Sequence, residues 1–253
     1  MNISREAIVE ACKTALAALP SVRAAFLGGS EAFGRHDRYS DIDLGAIAPM
    51  ADAPVIFAAV EAALEALSPI ELKLEMPPSG LWPELSQRFY RLRDTDEFLM
   101  IDFCQLTPGQ MQTFLEPTRH GRAVVLFDHD GLIKPVALDQ DAHQAAIERR
   151  LAWLKASFPM FQNLTRKAVL RGDDVEATAT WMNWTLRPLV DLLRIRHCPA
   201  RFDYGLRYTR LDLPPEAHAE LQSLLWPGSG PDLLAKLDRA GELFQRTLRE
   251  LEG

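Results

Sequence analysis

The sequence is poor in the features that mark secreted, membrane-spanning and nucleic-acid-binding chains. Its three cysteines, Cys12, Cys104 and Cys198, are far apart and form no CxxC pair, which argues against a disulfide framework or a zinc site. No apolar run approaches the roughly 20 residues that a membrane span needs. The opening Met1-Asn2-Ile3-Ser4-Arg5-Glu6 lacks the basic start and apolar stretch of a secretory leader. The expectation is a cytoplasmic protein with reduced thiols and no membrane partner. Basic tracts are missing too. The net charge of -7 falls entirely in residues 1–135, which hold 19 Asp+Glu against 12 Lys+Arg, whereas 136–253 hold 16 of each. An acidic half argues against nucleic acid as a partner, because binding it requires a basic surface that displaces counterions. It suits metal ions or a cationic substrate better.

The remaining composition, 47% hydrophobic and 25% charged over 253 residues, is that of an ordinary globular chain of one or two domains. Ser4 is placed to cap a helix over about 5–18, with Ile8, Cys12, Ala15 and Leu16 at helical spacing before Pro20. Val22–Leu27 reads as a buried strand ended by two glycines. Ser30–Phe33 reads as a helical turn, 41–47 as a second strand and 53–67 as an amphipathic helix. Glu71-Leu72-Lys73-Leu74-Glu75 alternates strictly, the pattern of a half-exposed strand, and two more strands are expected at 88–93 and 98–106. After about residue 138 helical periodicity takes over, with helices at about 140–157, 160–171, 174–197, 214–225 and 230–251 and breaks at Pro159, Gly172, Pro199 and Pro227. The expected fold class is α+β: a mixed sheet with flanking helices in residues 1–137, followed by an all-helical domain in 138–253.

Two features carry chemistry. Asp41 and Asp43 stand two apart on the second strand, so both side chains leave the same face while Ile42 and Leu44 anchor the other. Like charges so close are unfavourable unless a cation lies between them. Magnesium favours hard oxygen ligands and is commonly held by one or two carboxylates plus phosphates. Asp102, an acid inside the apolar run Leu99–Cys104, would complete a triad if its strand neighbours the first. The second feature is Gly28-Gly29-Ser30, where glycines let backbone amides approach phosphate oxygens at a helix start and Ser30 adds a hydroxyl. Arg35 and Arg38 follow in the loop, within reach of a triphosphate.

Phe26-Leu27-Gly28-Gly29-Ser30, a spacer of ten residues and Asp41-Ile42-Asp43-Leu44 together resemble the signature of the polymerase-β-type nucleotidyltransferase superfamily, with Asp102 matching its third acid. The resemblance covers roughly residues 20–106. It implies a small mixed sheet with flanking helices, two Mg2+ ions held by Asp41, Asp43 and Asp102, and ATP or another NTP as donor, with Gly29, Ser30, Arg35 and Arg38 at its phosphates. One such domain followed by a helical one is similar to aminoglycoside and lincosamide nucleotidyltransferases. Transfer of AMP to a small-molecule hydroxyl is therefore expected. Adenylylation of a protein, as by antitoxin-like members, and a non-catalytic nucleotide-binding module are the alternatives, and a homodimer is left open. The segment Arg201–Tyr208 looks like one that follows the helices in related uncharacterised nucleotidyltransferases. Three further features can serve a substrate: Trp181 and Trp184 by stacking, Arg187, Arg194 and Arg196 by lining a cleft, and a glutamate of Glu71–Glu75 as general base.

Overall fold

The computed structural model describes residues 2–77 and 83–253, the side chain of Thr113 excepted. The chain divides into two compact units, Met1–Leu138 and Asp139–Gly253. The first is a six-stranded mixed sheet with helices against it; the second is helical. Among the described residues no helix is long and apolar enough to cross a membrane.

Helix α1 (Arg5–Ala17) starts where Ser4 Oγ accepts a hydrogen bond from the Ala7 amide, and it buries Ile8, Cys12 and Leu16, one per turn. Strand β1 (Ala24–Leu27) leads through the short helix α2 (Gly29–Ala32) and a loop to β2 (Ile42–Ile47). Helix α3 (Ala53–Leu67) buries Ile56, Phe57, Val60 and Leu64, and β3 (Ile70–Glu75), β4 (Leu85–Leu92) and β5 (Ile101–Leu106) follow. Beyond the short helices α4 (Pro108–Met111) and α5 (Pro117–His120), β6 (Val124–Asp128) closes the order β3-β4-β5-β2-β1-β6. Among the described residues only the β2–β5 pairing is parallel.

The alternation of a strand sorts the sheet into two faces. On one, Ala25, Leu27, Ile42, Leu44, Ala46, Ile101 and Phe103 pack with the apolar stripes of α1 and α3, and Phe57 meets Phe103 edge to face at 5.0 Å. The other face is covered at one end, where Ala24, Phe26, Ile47 and Leu106 lie under Met111 and Leu115. Gly45 is needed there because a Cβ would fall 2.2 Å from the Phe26 ring. The same face continues past this cluster to Asp43 and Asp102.

The structure differs from the pattern reading at three places. Residues 98–100 are not a strand: the Asp96 side chain accepts from the Phe98 amide and its carbonyl from the Leu99 amide, forming a turn that delays β5 to Ile101. Strand β6, a continuous apolar run without alternation, takes its strand state from pairing with β1. Pro159 does not break the helical unit's first helix, α6 (Gln140–Leu170). It lies on the exposed side, where water can satisfy the carbonyl it leaves without a donor.

In the helical unit α6 is followed by α7 (Asp174–Trp181), a π turn at Met182–Leu186, α8 (Arg187–His197), α9 (Thr209–Asp212), α10 (Pro215–Ser223) and α11 (Gly230–Glu252). The π turn has a local cause. Pro188 lacks the N–H that would bond the Trp184 carbonyl, and Gln162 Nε2 donates to that carbonyl instead at 3.0 Å. The core of this unit includes Phe158 stacked on Phe244 at 3.8 Å, together with Trp181, Leu189, Leu193 and Leu237.

Arg194 is buried completely, and so is its partner Asp212, 2.9 Å away. The guanidinium also donates to the carbonyls of Arg201, Gly205 and Arg207, and Arg201 reaches the other Asp212 oxygen at 2.7 Å. This hub gives the segment Arg201–Tyr208 a structural explanation. Removing Arg194 leaves Asp212 with Arg201 alone and three carbonyls without their charged donor, a loss on the scale of breaking a buried pair, about 3–5 kcal/mol. Arg194→Met is accordingly expected to destabilise the helical unit by that amount in urea denaturation followed by tryptophan fluorescence, while Arg196→Met, at an exposed pair with Glu250, changes stability by less than about 1 kcal/mol.

Candidate active site

The parallel register of β2 and β5 puts Asp43 directly beside Asp102 as Cα partners. Parallel neighbours lie about 4.8 Å apart and side chains of paired residues share a face. Both carboxylates therefore stand together on the face opposite α1 and α3. Cys104 follows Asp102 on that face. Its thiol is pushed well above its ordinary range by burial first, and then by the charges of Asp102 and Asp43.

The turn after β1 lies against Asp43. The Gly28 amide donates to the Asp43 carbonyl at 2.8 Å, continuing the β1–β2 ladder into the turn. Gly29 has φ +52°, and a Cβ there would fall 1.7 Å from Asp43 Oδ2. Only glycine fits so tight an approach in the left-handed region. Ser30 Oγ is buried and, among the described residues, has no hydrogen-bond partner, which is costly for a hydroxyl unless a further group meets it. Helix α2 is only four residues long, so it brings amides to the site but not the summed dipole of a full helix.

Asp41 precedes β2 by one residue, and its position is set from α1. Arg5 donates through Nη2 to the Asp41 carbonyl at 2.7 Å, through Nη1 to the Ser40 carbonyl at 2.9 Å and through Nε to Glu31 at 3.0 Å. One side chain thus ties the glycine-serine turn, through Glu31 of α2, to the start of β2. The sequence reading missed Arg5. A signal was present, since a cation in the first turn of a helix opposes the dipole and asks for a tertiary partner. Gln87 of β4 was missed as well. Its Nε2 donates to Asp102 Oδ1 at 2.7 Å and orients that carboxylate.

Arg35 and Arg38 stand in the loop that follows the turn. Arg35 lies over the Phe33 ring at 4.2 Å, and its amide bonds the Ser30 carbonyl. Arg38 rests on Tyr39 at 5.0 Å and faces Asp96 at 3.7 Å. Lys73 and Glu75 lie on the opposite face of the sheet from Asp43, where Lys73 pairs with Glu61 of α3 and Glu75 with Arg88. Glu75 is therefore not the general base considered from its alternation, because the pleat turns it away from the acids. Trp181 is core and Trp184 half-buried between Phe161 and Trp153. Arg194 belongs to the buried hub and lines no cleft.

The donor set can be tested against a divalent ion. Two carboxylates paired across a parallel ladder are the hard oxygens such an ion prefers, and their mutual repulsion favours a cation between them. Among the described residues, however, no three His, Cys, Asp or Glu side chains are drawn together tightly enough to hold a metal. The chemistry of Asp43 and Asp102 fits, while Asp41 is brought to the same strand end without closing a three-acid cage.

No protein-family model and no curated protein matches the chain. Solved structures do. An aminoglycoside 6-adenyltransferase from Bacillus subtilis is similar at 12% identity over 97% of this chain and 89% of that one, with a TM-score of 0.38. A nucleotidyltransferase-like protein from Exiguobacterium sibiricum is similar at 13% identity over 96% of this chain and 75% of its own, also with a TM-score of 0.38.

The contact at Gly29 generates a test of the turn. Gly29→Ala combines a left-handed alanine with displacement of the Asp43 carboxylate and is expected to cost about 2 kcal/mol. At Gly28, a Cβ meets Asp43 at an ordinary 3.9 Å, and Gly28→Ala is expected to cost under about 1 kcal/mol. Thermal denaturation of the two variants beside the parent checks the difference.

Proposed function

We propose that the chain is a divalent-metal-dependent nucleotidyltransferase that moves a nucleoside monophosphate, AMP from ATP, onto a hydroxyl of a small molecule such as an aminoglycoside-like antibiotic. The observation that carries this reading is the pairing of Asp43 with Asp102 on the face where the Gly28–Ser30 turn closes over Asp43. An acid pair beside a glycine turn with an unpartnered buried hydroxyl is suited to a charged phosphate chain and its counter-ions.

In this reading Asp43 and Asp102 would hold two Mg2+ ions together with Asp41, which would have to turn in from the end of β2, and the ions would neutralise charge developing on the phosphates. The residues of the chain bind and orient. Backbone amides of the turn and Ser30 Oγ receive phosphate oxygens, and Arg35 and Arg38 swing from their ring contacts toward the outer phosphates. The acceptor oxygen forms a bond to the α-phosphorus as the bond to the bridging oxygen breaks and pyrophosphate leaves. The hydroxyl proton passes to Asp102, whose carboxylate Gln87 keeps aligned. Arg5 acts at one remove by holding the Asp41 segment and Glu31 in place.

A pyrophosphate-release assay with ATP, Mg2+ and a panel of hydroxylated acceptors tests the reading. Asp43→Asn and Asp102→Asn are each expected to lower turnover by at least about 100-fold, since an ionised ligand or base is lost. Their melting temperatures should hold or rise, because acid–acid repulsion is relieved. Near-normal turnover in both variants would sink the assignment, and labelling of lysate proteins in place of small acceptors would point to protein adenylylation.

The acceptor's charge is a separate expectation. The acidic excess of residues 1–135 attracts cations and repels polyanions. The KM for the acceptor is expected to rise with ionic strength, as screening shortens to about 3 Å near 1 M salt. A KM that falls with added salt would show an anionic acceptor instead.

A further inference from the structure

Strand β3 lies at the edge of the sheet and, among the described residues, pairs with β4 alone. On the face it shares with Asp43 and Asp102 it presents Leu72, 56% exposed, and Leu74, 58% exposed, with Met76, 41% exposed, just beyond its end. Natural edge strands are usually shielded from pairing with other chains by charge, proline or a bulge. Here Lys73 and Glu75 lie on the opposite face and are already paired at home, with Glu61 and Arg88, and the bulge lies at the strand's start, between Ile70 and Leu72, leaving Leu72–Glu75 regular.

The backbone phase of the edge is known. The Met76 amide bonds the Gln87 carbonyl at 3.0 Å, so Met76, Leu74 and Leu72 direct their backbone groups inward to β4. By the alternation of an antiparallel ladder, Lys73 and Glu75 direct theirs outward. An added antiparallel strand must therefore place its own outward-facing residues opposite Lys73 and Glu75.

A second copy of the same strand does this in one favourable register. With a two-fold axis at Leu74, Leu74 meets Leu74, Lys73 meets Glu75 twice, and Leu72 meets Met76 twice. All pairs on one face are apolar and all on the other are of opposite charge. An axis one residue back, at Lys73, would set Lys73 against Lys73 and Glu71 against Glu75. An axis at Leu72 would run into the register shift between Ile70 and Leu72. Direct cross-strand pairs are where such preferences act.

We infer that the chain forms a two-fold dimer by antiparallel β3–β3 pairing centred on Leu74, joining the two sheets into one of twelve strands. The dimer rests on strand chemistry alone and stands apart from the proposed reaction.

Sedimentation velocity of the full chain at micromolar concentrations tests it, with circular dichroism and melting curves to confirm folding. The parent is expected to dimerise. Leu74→Lys, which sets two charges on the axis, is expected to weaken the dimer by at least about 100-fold. Lys73→Glu and Glu75→Lys should each weaken it, and the double variant Lys73→Glu/Glu75→Lys should restore it, because opposite charges again face each other across this axis. Leu74→Cys gives a second readout. Residues directly opposite at a non-hydrogen-bonded position lie about 4.5 Å apart, within disulfide reach, so mild oxidation should produce a covalent dimer. Lys73→Cys, displaced along the strand from its own copy, should not. A monomeric parent, a dimer indifferent to Leu74→Lys, or cross-linking through Lys73→Cys but not Leu74→Cys would each overturn the inference.

Discussion

The pairing of β2 with β5 governs this protein's first unit. Among the described residues it is the one parallel pairing in the sheet, and its register runs unbroken from Ile42 beside Ile101 to Ile47 beside Leu106. Because paired residues share a face, Ile42, Leu44, Ala46, Ile101 and Phe103 all enter the core under α1 and α3. The same rule places Asp43 beside Asp102 on the other side. A slip of one residue would bury an acid under α3 and expose a core side chain, so hydrophobic burial on one face enforces the juxtaposition of charge on the other.

Two like charges side by side oppose folding of the bare chain, yet neither is buried in the core. The apolar cluster of Phe26, Ile47, Leu106 and Met111 covers the far end of that face and stops short of them. Around the pair, polar groups limit movement. Gln87 holds Asp102, the Gly28 amide fixes the backbone of Asp43, and Arg5 ties the chain at Asp41 to Glu31. Arg5 sits where the helix dipole disfavours a cation, and its three bonds offset that cost.

The helical unit shows the same economy of polar groups in a different setting. Arg194 and Asp212 are fully buried, and the guanidinium gathers carbonyls from a segment with little regular structure between α8 and α9. Gln162 serves the helix interrupted by Pro188: it donates to the Trp184 and Phe158 carbonyls and accepts from Thr185. In both places one side chain satisfies the backbone groups that irregular structure leaves over.

Local chemistry in the sequence was enough to determine much of this. The Ser4 cap, the stripes of α1 and α3, the alternation of β3 and the Gly28-Gly29-Ser30 turn depend on neighbours a few residues away, and each was legible for that reason. The face taken by Asp43 was legible too, because alternation is local, whereas Asp41, expected on the same strand, lies one residue before it. What only the tertiary structure decided were the relations between distant segments. Asp102 lies beside Asp43 because β5 is the parallel neighbour of β2, and that choice rests on core packing across the sheet. Glu75 faces away from the acids because the pleat of β3 is phased through β4. Arg5, Gln87 and Arg194 found their roles through partners 7 to 36 residues away. A pattern within a segment shows which face a side chain takes; only the packed chain shows what stands opposite, because contact between remote residues is set by burial summed over the whole fold.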